Sequence, residues 1–286
     1  MDIPAWPDAS SLTLELRPRL HPLFQRLEEG ISELTFASLF LFRHQYGYQV
    51  SHLERELYSF SGRDDKGDFF LLPFGLPDPD RLLALFSAHG RLKAASEAQA
   101  AALTGLGYSP EEDRDSFDYL YSRRDLAELP GKRFHKKRNL VRAFVGSHRC
   151  EGRSLLPEYQ PDARAVLEGW RRGRPQAGDY RAAEEALRLS EELALCGCIC
   201  YVEKRPAAYV LGEELARGRM YAIHFEKALS EYKGLYQFVN QSFATILPET
   251  YELINREQDL GDPGLRQAKL SYRPVDFVRK YTVRGP

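Results

Sequence analysis

The sequence predicts an α+β protein made of two comparable units, and three observations carry that expectation. Helical spacing and strand-like alternation are mixed along the whole chain, with no separate all-helical or all-strand block. The second half reads helix, helix, hairpin, strand, helix, strand. A short pattern also recurs about half a chain apart. Leu120, Arg123 and Asp125-Leu126 precede Pro130-Gly131-Lys132-Arg133-Phe134-His135-Lys136, and Leu253, Arg256 and Asp259-Leu260 precede Pro263-Gly264-Leu265-Arg266-Gln267-Ala268-Lys269. Both read Asp-Leu, then Pro-Gly-x-Arg-x-x-Lys, as tandem duplication of one α/β unit would give. The boundary expected from this echo lies near Cys150, with units over 1–150 and 151–286.

The elements follow in order. His21–Gly30 and Leu34–Tyr46 have helical spacing, and Tyr48–Val50, Leu57–Phe60 and Asp68–Leu72 read as strands. Asp78 caps a helix with Pro79 in its first turn and Gly90 as its stop. Asp162–Trp170 and Asp179–Leu195 are helical, separated by the polar stretch Arg171-Arg172-Gly173-Arg174-Pro175. Cys198–Glu203, a turn at Lys204-Arg205-Pro206, and Ala207–Gly212 form a hairpin. Arg219–Lys227 is a further strand. Leu235, Phe238, Val239, Phe243 and Ile246 share one helical face, and Tyr251–Asn255 returns as the last strand.

Composition removes several function classes. The 286 residues are 43% hydrophobic with Lys+Arg 40 against Asp+Glu 41, so disorder is excluded. A net charge of -1 argues against bulk electrostatic binding to nucleic acid and leaves room for a local basic patch. The longest apolar stretches, Leu39–Phe42 and Leu193–Val202, fall short of the ~20 residues of a membrane span. The N-terminus lacks the basic start and apolar core of a signal peptide, so a cytoplasmic location is expected. Cys196, Cys198 and Cys200 would stand about 7 Å apart on one strand face. Zinc needs each sulfur ~2.3 Å from the metal, so a buried strand in a reducing compartment is expected and no metal site. No Ser-His-Asp spacing, P-loop, HExxH or GxGxxG supports a hydrolase, kinase, zinc protease or dinucleotide enzyme.

Asp118-Tyr119-Leu120-Tyr121-Ser122, Asp125-Leu126 and Leu129-Pro130-Gly131-Lys132-Arg133-Phe134-His135-Lys136-Lys137-Arg138-Asn139 resemble the signature of bacterial proteins related to the C-terminal domain of phosphatidylglycerol lysyltransferase. Glu33–Leu39, Ile254–Gly261 and the run Gly264, Leu265, Arg266, Ala268, Lys269, Ser271, Tyr272, Pro274 fit the same group, so the resemblance covers nearly the whole chain. It implies two tandem GNAT-like (acyl-CoA N-acyltransferase-like) domains, each a mixed, mainly antiparallel sheet flanked by helices, as in Fem-type aminoacyl-tRNA-dependent transferases. It also implies acyl transfer from a thioester or an aminoacyl-tRNA ester to an amine or hydroxyl in the cleft between domains. No cofactor is expected to be resident; acyl-CoA or aminoacyl-tRNA would be co-substrate. The sequence departs from the lysyltransferase in having no membrane-spanning half, which puts a lipid acceptor in doubt.

Acyl transfer to an amine needs a proton acceptor. Alternation along Arg219–Lys227 places His224 and Glu226 together on one face, with Lys227 on the other. Glu226 is the first candidate base, or else a carboxylate paired with Lys227 or Arg256; His224 is the second, or else a satisfied core histidine. Tyr236 and Asn240 lie one turn apart, where they could meet the donor or return a proton to the leaving group. Lys227, Gly234 and Asn240 are the donor-side candidates. Gly234 alone marks the helix start where successive backbone N–H groups would cradle pyrophosphate. Arg256, Glu257, Asp259, Lys269 and Tyr272 cluster after the Tyr251–Asn255 strand as candidates for acceptor or phosphate. The basic run Lys132, Arg133, His135, Lys136, Lys137 and Arg138, with Phe134 inside it, suits a tRNA acceptor arm or another phosphate-bearing ligand, or else is a solvated helix face. The rival to a catalyst is a binding module for phosphate, RNA or a lipid head group on a degenerate GNAT fold.

Overall fold

The computed structural model describes residues 2–172 and 178–285. The Gly173-Arg174-Pro175 part of the polar stretch lies outside the described residues.

In the N-terminal part, β1 (Ser10–Ser11), β2 (Gln49–Glu54), β3 (Leu57–Asp64), β4 (Gly67–Leu71), β5 (Arg91–Ala95) and β6 (Glu111–Glu112) are interleaved with helices α1 (Arg17–Phe24), α2 (Phe36–Leu41), α3 (Arg43–Tyr46), α4 (Pro79–His89) and α5 (Glu97–Gly105). Next come β7 (Asp118–Ser122), α6 (Arg123–Glu128), α7 (His135–Ser147), β8 (Cys150–Ser154), α8 (Gln160–Arg172) and α9 (Tyr180–Arg188). The remainder is β9 (Cys196–Val202), β10 (Arg205–Leu215), β11 (Met220–Ala228), α10 (Leu235–Ile246), β12 (Leu253–Asn255), α11 (Pro263–Leu270), β13 (Asp276–Val278) and β14 (Tyr281–Arg284).

These strands form two seven-stranded sheets, ordered β1-β2-β3-β4-β5-β14-β6 and β13-β7-β12-β11-β10-β9-β8. Both are mainly antiparallel, with one parallel pair each, β4–β5 and β11–β12. The fold is therefore α+β with two mixed sheets flanked by helices. Sheet membership changes between Glu112 and Asp118, before Cys150, and changes again near the end, where β14 crosses back to lie between β5 and β6. Tyr251–Asn255 is thus followed by two further strands.

The internal echo has a local physical meaning. Both copies lie in the second sheet, and their strands are antiparallel neighbours through Leu253–Ser122, Ile254–Tyr121 and Asn255–Leu120. In each copy the Asp receives the Arg of the Pro-Gly-x-Arg stretch: Arg133 binds Asp125, and Arg266 binds Asp259 at 2.7 and 2.9 Å.

The local chemistry accounts for most element ends. Pro18 sits in the first turn of α1, which therefore starts before His21. Thr35 caps α2 through Ser38 N, and non-helical dihedrals at Phe42 split the predicted Leu34–Tyr46 helix in two. The hairpin turn falls at Glu203-Lys204, both with positive φ, so β10 already begins at Arg205. Asp262 caps α11 and Pro263 fills its first turn. On α10, Leu235, Val239 and Phe243 are buried, whereas Ile246 is exposed.

The second sheet buries both faces. Cys198, Cys200, Val210, Tyr221 and Ile223 pack with α10, while Ile199, Tyr209, Leu211 and Phe225 join a core that continues through α8 and α9 into the N-terminal helices and β3–β4. The Arg43–Glu185 ion pair, at 2.8 and 2.9 Å, ties α3 to α9. No helix among the described residues is long and apolar enough to cross a membrane.

Candidate functional site

A cleft of about 1020 Å³ is lined from both sides of the molecule. The N-terminal elements contribute Ser32, Glu33, Phe42, Tyr46, Tyr48 and Lys93; the second sheet and its helices contribute Lys137, His224, Glu226, Tyr236, Arg256 and Lys269. A second cavity, beside His21 and Glu213, measures about 20 Å³, room for a water and nothing larger.

Two irregularities of the second sheet shape the cleft. β12 pairs with β11 only over Met220–Ala222, so β11 runs on from Ile223 without a strand partner on that edge among the described residues. On the other edge, the register between β10 and β11 shifts at Leu211/Gly212, pairing Leu211 with Phe225 but Gly212 with Ile223. His224 is the extra residue of this bulge. Glycine is required opposite it, because a β-carbon at Gly212 would meet the Ala222 carbonyl oxygen at 1.8 Å. The bulge reverses the alternation, so Tyr221 and Ile223 pack with α10 while Phe225 joins the opposite core. The face shared by His224 and Glu226 that plain alternation predicts is therefore broken between them.

His224 is clamped. Its Nδ1 lies 2.7 Å from Glu257 Oε1 and its Nε2 2.9 Å from Glu213 Oε1. Burial opposes the imidazole's charge, but hydrogen bonds to both carboxylates and their negative charge outweigh it and push its pKa up to about 10. At neutral pH both ring nitrogens donate, so His224 is a fixed cation that orients Glu257 and not the base its residue type suggested.

Glu226 Oε2 accepts a hydrogen bond from Arg256 Nη2 at 2.8 Å, while Oε1 has no hydrogen-bond partner among the described residues. The alternative pairing with Lys227 does not form. Lys227 Nζ donates to both oxygens of Asp179, at 2.6 and 2.7 Å, and lies 4.0 Å from the Trp170 ring centroid. Arg256 also stands 5.0 Å from the ring centroid of Tyr272.

Two lysines beside Arg256 have no carboxylate partner among the described residues. Lys269 Nζ donates to the carbonyl oxygens of Arg256 and Glu257, the latter at 3.1 Å, and burial followed by the Arg256 charge lowers its pKa to about 8. Lys137 lies 3.8 Å from the Tyr272 ring centroid, and the same two causes lower it to about 8. Burial pushes the Tyr272 phenol up to about 12, keeping it a neutral donor.

Several expected residues stand outside the cleft. Gly234 starts α10 with φ 96°, and a β-carbon there would meet Leu140 O at 2.7 Å and Phe144 Cβ at 3.0 Å. Its α-carbon serves the contact with α7. Tyr236 lines the cleft, but Asn240, one turn on, is buried with neither amide atom hydrogen-bonded among the described residues. Of the basic run only Lys137 enters. Lys132, Arg133, His135 and Lys136 are exposed, and Arg138 ties down the preceding loop through the carbonyl oxygens of Leu129 and Gly131. Asp259 is fully buried, receiving Tyr119 Oη at 2.5 Å, both Arg266 contacts and the Gly261 N–H. Burial would raise its pKa, but Arg266 and Tyr119 hold it well below the usual carboxylate range.

The N-terminal wall was not foreseen residue by residue. Glu33, inside the Glu33–Leu39 motif, bonds Lys280 Nζ, and Lys280 also reaches Asp118 at 2.7 Å. Burial, reinforced by Asp118 and only partly offset by Lys280, raises the Glu33 pKa. Tyr46 and Tyr48 carried no signal beyond core-like aromatic character.

The family described as phosphatidylglycerol lysyltransferase, C-terminal, matches residues 24–284. A conserved protein of unknown function from Bacteroides thetaiotaomicron is 28% identical, with 97% of this chain and 99% of that one covered and a TM-score of 0.87. The L-PGS structure from Bacillus licheniformis superposes with a TM-score of 0.64 at 14% identity, covering 99% and 94%. FemX superposes with a TM-score of 0.59 at 8% identity, covering 96% of each chain. An uncharacterized protein of Mycoplasmoides gallisepticum is 22% identical over 178 residues, a match spanning 59% of this chain and 56% of that protein.

Proposed function

The chain belongs to the phosphatidylglycerol lysyltransferase C-terminal family, and on that premise we propose that it moves an acyl or aminoacyl group from aminoacyl-tRNA or acyl-CoA to an amine or hydroxyl acceptor in the cleft between its two sheets. The observation that carries this reading is a pair of lysines in the cleft. Lys137 and Lys269 stand beside Arg256 without carboxylates of their own among the described residues, as a site for a phosphate-bearing donor requires. The exposed Lys132, Arg133, His135 and Lys136 extend the basic surface outside the cleft, in keeping with a tRNA partner.

Within this reading Glu226 takes the acceptor's proton. Arg256 fixes the carboxylate through Oε2, and Oε1 is left for the acceptor. Tyr272 and Tyr236, which line the cleft, return a proton to the leaving oxygen or sulfur. His224 acts through Glu257 as a positioning residue.

The test is binding of bulk aminoacylated tRNA across a salt series, with CoA as competitor. Binding that weakens steeply with salt and prefers charged over uncharged tRNA supports the aminoacyl donor. No tRNA binding, together with a CoA-dependent rise in melting temperature, moves the donor to acyl-CoA; ligand at 100 times its Kd adds about 2.7 kcal/mol. The second reading, a binding module without turnover, is favoured by one observation: both expected bases are engaged, His224 by two carboxylates and Glu226 by Arg256. Ligand binding with no acyl transfer to any amine or hydroxyl offered would select it.

A further inference from the structure

Four lysines line the cleft among the described residues, and their surroundings differ in a way that bears on reactivity. Lys93 Nζ pairs with Asp64 at 3.1 Å, Lys227 with Asp179, and Lys269 with two backbone carbonyl oxygens. Lys137 has none of these: among the described residues its contact is the π face of Tyr272, and it donates no hydrogen bond and forms no ion pair. It is half-buried on α7 and opens to the same space as Glu226 and Arg256.

We propose that Lys137 is a nucleophilic lysine that accepts an acyl group from an activated ester or thioester entering the cleft. A lysine reacts with acyl donors only as the free amine, so whatever disfavours the ammonium raises the rate. Here burial and the neighbouring Arg256 guanidinium both act in that direction and lower its pKa to about 8. Roughly 300-fold more free amine is then present near neutrality than for an ordinary lysine. The Tyr272 ring favours the charged form, but it occupies no lone pair and leaves the nitrogen able to attack.

The step balances without a further reactant. The Nζ lone pair adds to the carbonyl carbon and a C–N bond forms. The C–O or C–S bond breaks, its electron pair leaves on the alkoxide or thiolate, and that group takes the proton shed by Nζ. The product is a neutral amide, so acylation removes one of the cleft's unpaired cations and weakens anion binding there. The inference does not depend on transfer to an external acceptor, because it needs only an activated acyl compound.

The experiment treats the full chain with p-nitrophenyl acetate, and separately with acetyl-CoA, over a pH range of about 6.5 to 9.5 that brackets the lowered lysine value. Phenolate release and peptide mapping by mass spectrometry are read together. The expected result is acetylation of Lys137 at least tenfold faster than of exposed Lys132 and Lys136, with a pH midpoint near 8, slowing with added inorganic phosphate, and loss of the fast phase in Lys137→Arg. Acetylation of Lys132 and Lys136 at the same rate as Lys137, or a Lys137 that stays unmodified while they react, overturns it. The peptide map of the unaltered protein decides the matter even where Lys137→Arg folds poorly.

Discussion

Lys280 Nζ lies 2.7 Å from Asp118 Oδ1, and both side chains are wholly buried. Asp118 opens β7 in the second sheet, and Lys280 immediately precedes β14, which returns to the first. Asp118 also accepts from Ser32 N at 2.8 Å, Ser32 Oγ at 2.9 Å and Asn255 Nδ2 at 3.0 Å. One carboxylate therefore joins the N-terminal wall of the cleft, the parallel strand β12 and the chain end.

Removing the cation should leave Asp118 and Glu33 as uncompensated buried charge. Lys280→Met is expected to lose about 3–5 kcal/mol of stability, read as a fall in the urea midpoint at constant m-value. A loss below ~1 kcal/mol would mean that the junction is not held by this pair.

The His224 clamp makes stability depend on pH with a definite sign. The folded pKa, about 10, lies above the ordinary imidazole value of 6.5, so the folded state binds more protons between those values. The stabilisation is fully present below pH 6.5 and is lost as pH rises toward 10. Urea unfolding at three pH values, about 6, 8 and 10, should show stability falling over this window, and His224→Gln should flatten the slope. An unchanged slope in the variant would assign it to other groups.

Gly234→Ala combines a left-handed backbone with a β-carbon 2.7 Å from Leu140 O. A cost of about 1–3 kcal/mol is expected from the backbone conformation alone, seen as a lower melting temperature. A variant of native stability would show that α7 and α10 adjust at no cost.

Charge reversal at exposed Lys132 and Lys136 should leave stability within about 0.5 kcal/mol. Under the aminoacyl-tRNA reading it should weaken tRNA binding and reduce the salt slope by about 0.7–0.9 for each phosphate that the variant no longer neutralises. An unaltered slope would remove the phosphate role of this face.

Glu226→Gln keeps the shape and removes the proton acceptor. A catalyst should lose about 10²–10⁴ in rate with ligand affinity within a few fold, as followed by single-turnover acyl transfer. Equal rates for both proteins would rule out Glu226 as the base.

Local patterns account for what the sequence alone determined. Asp78 as a helix cap, the apolar face of α10 and the alternation of β9 all act over a few residues, so they predicted the α+β class and most elements directly. The motifs around Asp118 and Arg256 were equally legible as family marks. What they do was not, because their partners are remote: Glu226 for Arg256 on a neighbouring strand, Glu213 and Glu257 for His224 from separate segments of the chain. The bulge at His224 reverses alternation at one residue, which a periodic pattern cannot register. The placement of β14 in the first sheet, the contact of Gly234 with α7 and the N-terminal wall of the cleft were decided only by tertiary packing. Each depends on which buried surfaces and charges meet when segments far apart in sequence come together.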